Sequence, residues 1–352
     1  MQFNGSHHSC SRLRWVVVGD TPQASAFAEE LRHSSYGELL AHFSSPLKSN
    51  QPLANASAEQ CLYSDAYDDL LHDTTVDAIY IGTRQSQRAQ LIQHAVANHK
   101  HVLALHPAFL NQRELCKVVS PELRKRLCIR HLSPYRHHPV AQALRELLGN
   151  EALGDLCALL WETNDGLSLG GQQALSVAAH EKYDILLSLL GSAVDLLEWL
   201  LPGSDWCSAR FRDPYRHPER RGHNVQADGL SARDAWQTHG FACLLSQRSV
   251  SATLVLGQHH GLRNTLVAYG TGGRIEATSP LSLDEHLHVR LYYPEDDSPT
   301  FARSLEPPSY LFAREADAFA EQVFSLAGNY SHLFTDLRVS TRAVESVLWS
   351  VD

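Results

Sequence analysis

The sequence predicts an α/β chain of two domains: a doubly wound parallel sheet, then an α+β domain with an open, mostly antiparallel sheet. Three observations predict it. The chain has 352 residues, more than one small core organises, so two domains follow from length. Short β-rich runs alternate with helical stretches from Arg14 to Arg130, the grammar of a parallel sheet. After Tyr135 that grammar gives way to a long apolar helix and then to runs that alternate as antiparallel strands do. The boundary falls near residue 132, giving domains 12–132 and 133–352.

In order, Arg14 to Val18 is a β-rich run that stops at Gly19-Asp20-Thr21-Pro22. Ala24 to Arg32 has helical periodicity and good helix formers. Leu39 to Phe43 is a second strand, ending in Ser44-Ser45-Pro46, and the polar stretch Lys48 to Ala56 signals little regular structure. Tyr67 to His72 is a short helix leading into the strand Ala78 to Ile81. Helix Gln87 to Asn98, strand His101 to Leu105, helix Asn111 to Val119 and strand Leu127 to Arg130 complete the first domain.

The second domain opens with the amphipathic helix Val140 to Leu148, closed by Gly149-Asn150, and the strand Leu156 to Glu162. A very apolar helix, Tyr183 to Leu201, is stopped by Pro202-Gly203. Gly240 to Ser246, Ser251 to Leu256, Thr265 to Tyr269 and His286 to Tyr293 read as strands, with a glycine turn at Gly270 to Gly273. Helices Arg314 to Ala327 and Asp336 to Ser350 end the chain.

Composition excludes several function classes. With 43% apolar and 20% charged residues the chain is that of a folded protein. A formal charge of −9 argues against nucleic acid or an anionic membrane as partner, since both need a basic face. Seven dispersed cysteines, with no CxxC spacing, argue against a disulfide framework or zinc site and fit a reducing cytoplasm. No apolar run reaches signal-peptide or membrane-spanning length, so a cytoplasmic location is expected. His286 and His288 are a short histidine spacing on a strand, but with no third ligand no metal is expected.

Chemistry concentrates between Val76 and Asn111, VDAIYIGTRQSQRAQLIQHAVANHKHVLALHPAFLN. This is a strand–helix–strand step, and its strand ends lie where a nucleotide-binding sheet takes its ligand. With Tyr67 to Leu71 (YDDLL), Tyr135 to Leu156, Asp195 to Pro202 (DLLEWLLP) and Leu266 to Ile275 (LVAYGTGGRI), it resembles the glucose–fructose oxidoreductase and inositol dehydrogenase family, Gfo/Idh/MocA, over Arg14 to Trp349. The resemblance implies a Rossmann domain followed by an open-sheet domain, with NADP or NAD used to oxidise or reduce a small molecule. It also implies association of copies through the C-terminal sheet.

Each motif departs from the family pattern. The phosphate turn Gly19-Asp20-Thr21-Pro22-Gln23-Ala24 keeps the first glycine; Thr21 offers a hydroxyl, Pro22 suits a first helical turn, and Asp20 adds negative charge. Where the family carries an acid for the adenosine ribose this chain has Ser44 and Ser45, with Lys48 nearby, which tolerate a 2′-phosphate better and favour NADP over NAD. The Thr-Pro-Asn turn becomes Thr83-Arg84-Gln85, with Arg88 where the family has a histidine. Those arginines either attract a phosphate or carboxylate or are exposed on a helical first turn.

The family's Glu-Lys-Pro becomes Leu105-His106-Pro107. Its lysine acts near the reacting oxygen, and a histidine, which titrates near neutral pH, can replace it as general acid or base. Aligning Asp195 and Trp199 places Ser188, Leu190 and Ser192 at the positions of the family's Asp-x-Gly-x-His. Ser188 and Ser192 then position substrate or pack as small residues. Just upstream, Lys182 and Tyr183 are substitute substrate-binding and acid–base groups, and Arg136 is a further substrate-binding candidate. The thiazolinyl imine reductases of siderophore assembly, a branch of the family, are similar at Arg84, His106-Pro107 and Ser192, which implies C=N as well as C=O reduction.

The segment Arg210 to Arg221 has five arginines against two acids and reads as a solvated loop or as a lip for an anionic or carrier-bound substrate. The expected function is an NAD(P)-dependent oxidoreductase with His106 as proton donor. The same substitutions, at Asp20, Ser44, Arg84, Arg88, His106, Ser188 and Ser192, also suit an inactive partner subunit, scaffold or sensor.

Overall fold

β1 (Leu13–Val18) is the strand on which the first sheet is built: LRWVVV is buried along nearly its whole length, as a parallel strand covered on both faces must be. The computed structural model of the protein describes residues 12–44, 65–150, 152–163, 179–201, 208–212, 241–246, 250–256, 264–278, 287–326, 330 and 333–349. For residues 65–66, 179–186, 208–212, 241–246, 256, 326, 347 and 349 only the backbone is described. Around β1 run α1 (Pro22–Glu30), β2 (Gly37–Phe43), α2 (Asp65–His72), β3 (Ala78–Ile81), α3 (Gln85–Ala97), β4 (His101–Ala104), α4 (Gln112–Val118), α5 (Pro121–Arg126) and β5 (Ile129–His131). The sheet is parallel, in the order β2-β1-β3-β4-β5. The strand order reverses at β1, so the carboxyl ends of β1 and β3 flank a switch point, where doubly wound sheets take their ligands.

The second sheet has eight strands among the described residues: β6 (Leu156–Thr163), β7 (Ser208–Arg212), β8 (Phe241–Ser246), β9 (Ser251–Leu256), β10 (Thr265–Gly270), β11 (Gly273–Thr278), β12 (Leu287–Tyr292) and β13 (Phe301–Leu305). Its order is β13-β12-β11-β10-β6-β9-β8-β7, antiparallel except for the parallel pair β6–β9. Trp161, Leu159, Leu266, Ile275 and Val289 face α6 (Pro139–Gly149) and α7 (Ala179–Leu200), whose Leu144, Leu190, Val194 and Leu197 join the same core. This is the α/β plus open-sheet α+β class expected from the sequence. The helix predicted from Tyr183 begins at Ala179.

Three elements differ from expectation. Arg210 and Arg212 lie in β7, an edge strand paired with β8, and not in a loop; Asp213 to Arg221 lie outside the described residues. The sequence does not signal β13, because FARSL lacks apolar alternation, and as an edge strand it is almost wholly exposed. α5 has no buried residue and so no apolar stripe, although Ser120 and Pro121 mark its start.

By packing, the chain forms two units. The first is Met1–Leu105, Val118–Leu132 and Phe312–Phe334; the second is His106–Lys117, Ser133–Leu311 and Thr335–Asp352. The first unit therefore takes in α8 (Leu311–Leu326) from Phe312 onward, while α9 (Leu333–Trp349) lies mostly in the second. Phe319 of α8 meets the fully buried Trp15 at 5.1 Å, and Phe27 meets Trp15 edge-on at 5.2 Å. The Glu30 carboxylate accepts the Phe312 and Ala313 N–H groups at the start of α8, and Glu315 pairs with Arg130 at 3.2 Å. No helix among the described residues is long and apolar enough to cross a membrane.

His101, at the start of β4, accepts the Cys128 backbone N–H at Nδ1 (2.9 Å), and burial pulls its pKa down to about 4. A neutral buried histidine that must charge on acidification stabilises the fold fully above the unfolded pKa of about 6.5 and loses that contribution as pH falls toward 4. Unfolding free energy measured across that range should drop by on the order of 2–3 kcal/mol through this group. His101→Gln, followed by chemical denaturation, should flatten that part of the profile.

Candidate active site

His106 follows β4 by two residues. Leu105 N–H extends the ladder to Ile81 O at 2.9 Å, and the His106–Pro107 peptide is cis. Beyond it the chain is pinned by a reciprocal cap: Glu114 N–H donates to Asn111 Oδ1 (2.8 Å) while the Glu114 carboxylate accepts Leu110 N–H (2.9 Å). His106 is completely buried, and Pro107 is buried beside it.

A buried tyrosine of the second unit meets His106. Tyr135, in the 3₁₀ turn Pro134–His137, places its hydroxyl 3.1 Å from His106 Nε2 and 2.7 Å from Asp195 Oδ2. Asp195, on α7 and 3% exposed, also accepts from Ser133 Oγ (2.9 Å) and from Arg136 Nε (3.0 Å) and Nη2 (2.7 Å). Such a two-pronged guanidinium contact holds a carboxylate in its ionised form. Burial, reinforced by the Asp195 charge, raises the Tyr135 pKa well above 10, so the phenol keeps its proton. That one proton goes to the carboxylate along the shorter bond. At the 3.1 Å contact, then, His106 Nε2–H donates and the phenol oxygen accepts, which fixes the imidazole tautomer. The result is a buried chain from imidazole to phenol to carboxylate.

α7 reaches this cluster because residue 191 is glycine. A Cβ there would stand 2.9 Å from His106 Cβ and 3.3 Å from Nδ1. Ser188, Gly191, Ser192 and Asp195 lie at helical spacing on one stripe of α7, and both serines are half-buried. Arg136, a substrate-binding candidate, has its guanidinium on Asp195. Lys182 and Tyr183 lie in α7, with their side chains outside the described residues.

The other candidates gather in the first unit, at the switch point. Gly19 has φ +137, and a Cβ on it would lie 2.2 Å from Gly82 O, so only glycine fits. Thr21 turns its hydroxyl back to the sheet, donating to Gly82 O (2.7 Å) and accepting Ala24 N–H (3.2 Å) as the cap of α1, with Pro22 in the first turn. Ala24 is fully buried, and a Cβ on Gly82 would come 2.8 Å from Ala24 Cβ. Close helix–sheet packing, the role of the third glycine of a dinucleotide turn, thus falls to the pair Ala24 and Gly82. The loop after β3 carries buried Thr83 and half-buried Arg84, the N-cap of α3, and buried Gln85 opens that helix. Arg88 is not an exposed arginine: it is 1% exposed and donates to Thr83 O at 2.6 Å. Ser44 is exposed just past β2, and Ser45 lies outside the described residues.

A dinucleotide fits this end of the sheet. The Gly19 turn is tight, the Thr21 side chain is turned away from the pyrophosphate approach, and no acid lies in the first turn of α1.

Tyr135 and Asp195 were absent from the sequence-derived site, although both lie in stretches that carry the resemblance. Asp195 had a readable signal, being an acid inside the apolar run Ile185 to Leu197. Tyr135 had none, since nothing local ties it to His106 across the chain.

Gly191→Ala should improve helix propensity yet destabilise the protein by about 1–3 kcal/mol, because the added methyl overpacks against His106. Thermal or chemical unfolding measures the loss, and the His106 ring resonances should shift in NMR spectra.

Residues 13–130 match the Gfo/Idh/MocA family model, described as an oxidoreductase family with an NAD-binding Rossmann fold. Trans-1,2-dihydrobenzene-1,2-diol dehydrogenase from Sus scrofa is 29% identical over 146 residues, 41% of this chain and 43% of that enzyme. The dTDP-3,4-didehydro-2,6-dideoxy-alpha-D-glucose 3-reductase of Streptomyces violaceoruber is 31% identical over 108 residues, 30% of this chain and 32% of that enzyme. The matched stretches thus span less than half the length of these relatives. A solved structure of a 3-ketoreductase from Actinomadura kijaniata, in complex with NADP and TDP-benzene, shares the fold with a TM-score of 0.69 at 19% identity, covering 97% of this chain and 98% of that one. Residues 13–130 thus resemble the Gfo/Idh/MocA oxidoreductases, and the chain shares the fold of Rossmann domain and open-sheet domain seen in the solved ketoreductase.

Proposed function

We propose that the protein is an NAD(P)-dependent oxidoreductase that reduces a C=O or C=N bond of a small molecule, with His106 as proton donor. The observation that carries this reading is the buried chain His106–Tyr135–Asp195, set two residues beyond a strand of the dinucleotide-binding sheet. Reduced nicotinamide supplies the hydride when bound. The protein's own residues supply the proton and its control. An imidazolium at His106 keeps Nε2–H on the Tyr135 oxygen and gives its Nδ1 proton to the developing alkoxide or amine. Asp195 stabilises that cation through the phenol without taking a proton itself, because Arg136 and Ser133 hold it as the anion.

Ser188 and Ser192, on the α7 stripe that touches His106, position the substrate in this reading, and Lys182 and Tyr183 one to two turns earlier extend the same helix toward it. A diol dehydrogenase and a sugar 3-reductase among the relatives favour a carbonyl on a ring, while the His106-Pro107 and Arg84 features keep C=N reduction as the alternative. Arg210 and Arg212 on β7 suit a substrate with an anionic group. The outer face of the second sheet, with Leu160 paired to Val267 and Tyr269 44% exposed, suits a second copy of the chain.

Titration with NADPH and with NADH, followed by intrinsic fluorescence or thermal shift, should show saturable binding of at least one. Binding of neither at millimolar concentration sinks the reading. His106→Asn should lower turnover of any carbonyl or imine substrate found by screening by about 10²- to 10⁴-fold, the worth of a positioned acid. Tyr135→Phe should cost less, because the proton donor itself remains.

A further inference from the structure

The end of β2 is bound to the phosphate turn by two hydrogen bonds. Gly19 N–H donates to Phe43 O at 2.8 Å, and His42 Nε2 lies 2.9 Å from Gly19 O. A carbonyl only accepts, so the imidazole nitrogen is the donor. His42 is exposed on β2, and exposed Ser44 follows two residues on, just past the strand's end.

In a dinucleotide-binding sheet this position reads the adenosine ribose. A carboxylate about 20 residues past the glycine turn takes the 2′-hydroxyl of NAD, and a cation accommodates the 2′-phosphate of NADP. Leu40-Ala41-His42-Phe43-Ser44 contains no carboxylate. The first turn of α1 carries no acid, while Asp20, exposed beside Gly19, adds a negative charge to the same turn. Phosphate binding there needs a cation, and the His42 imidazole, a side chain that can carry one, touches the turn.

We propose that His42 selects the cofactor. It holds the Gly19 carbonyl through Nε2–H, and in its imidazolium form it donates from Nδ1 to the 2′-phosphate of NADP(H), with Ser44 as a second donor. This rests on the oxidoreductase reading and adds to it the residue that sets preference.

Calorimetric titration of NADPH and NADH into the wild type, His42→Gln and His42→Arg tests it. Glutamine keeps a donor for the Gly19 carbonyl but carries no charge, while arginine restores a cation. The wild type should prefer NADPH. His42→Gln should weaken NADPH about tenfold, roughly one charge-assisted hydrogen bond, and leave NADH nearly unchanged. His42→Arg should recover the preference. An equal loss of both cofactors in His42→Gln overturns the inference, since His42 then only shapes the Gly19 turn. So does a wild type that prefers NADH, or an unchanged NADPH-to-NADH ratio; in either case the oxidoreductase reading stands. Binding of neither cofactor to the wild type overturns both.

Discussion

A carboxylate buried on an apolar helix is the constraint from which the chemistry of the second unit follows. Asp195 is 3% exposed between Val194 and Leu196, and an ion removed from water costs several kcal/mol unless hydrogen bonds replace its hydration. Bonds from Ser133, Tyr135 and both prongs of Arg136 replace it. Those donors are thereby fixed too. The phenol points at the anion, its oxygen is left to receive His106, and the imidazole acquires a defined tautomer and ring orientation. Gly191, four residues before Asp195 on the same face of α7, lets the helix come close enough for this to happen.

The first unit obeys a different constraint, that of backbone approach. Gly19 and Gly82 sit against each other at the switch point, and neither tolerates a Cβ. A single glycine in the phosphate turn looks degenerate in the sequence. In three dimensions part of the missing glycine function has moved to the facing strand, where Gly82 receives both Thr21 and Ala24. A motif read along the chain cannot register that exchange, because the compensating residue lies far away in sequence.

This explains what was legible. Alternating apolar runs and helical periodicity announce both domains, since burial imposes them locally. His106 stands out because a histidine before a proline follows an apolar strand, a pattern local enough to read. β13 and α5 escape because their residues bury little, and burial is what writes a pattern into sequence. Tyr135 and Asp195 escape as site residues because a hydrogen bond between positions 60 apart leaves no periodic trace. Arg88 reads as a surface residue by type, yet its guanidinium is spent holding the loop after β3.

The interleaving of the two units bears on how such a chain is made. It passes between units five times, and α8, which reaches Trp15 through Phe319, is translated long after the parallel sheet it covers. All five strands of that sheet leave the ribosome before their last covering helix exists. The nascent sheet must therefore wait, with an aromatic patch uncovered, while the intervening unit is synthesised, a state that invites chaperones and aggregation. The nucleotide-binding half is consequently no portable cassette: cut after β5, it lacks part of its own interior. Recombination that shuffles such halves between proteins has to carry the distant helix as well.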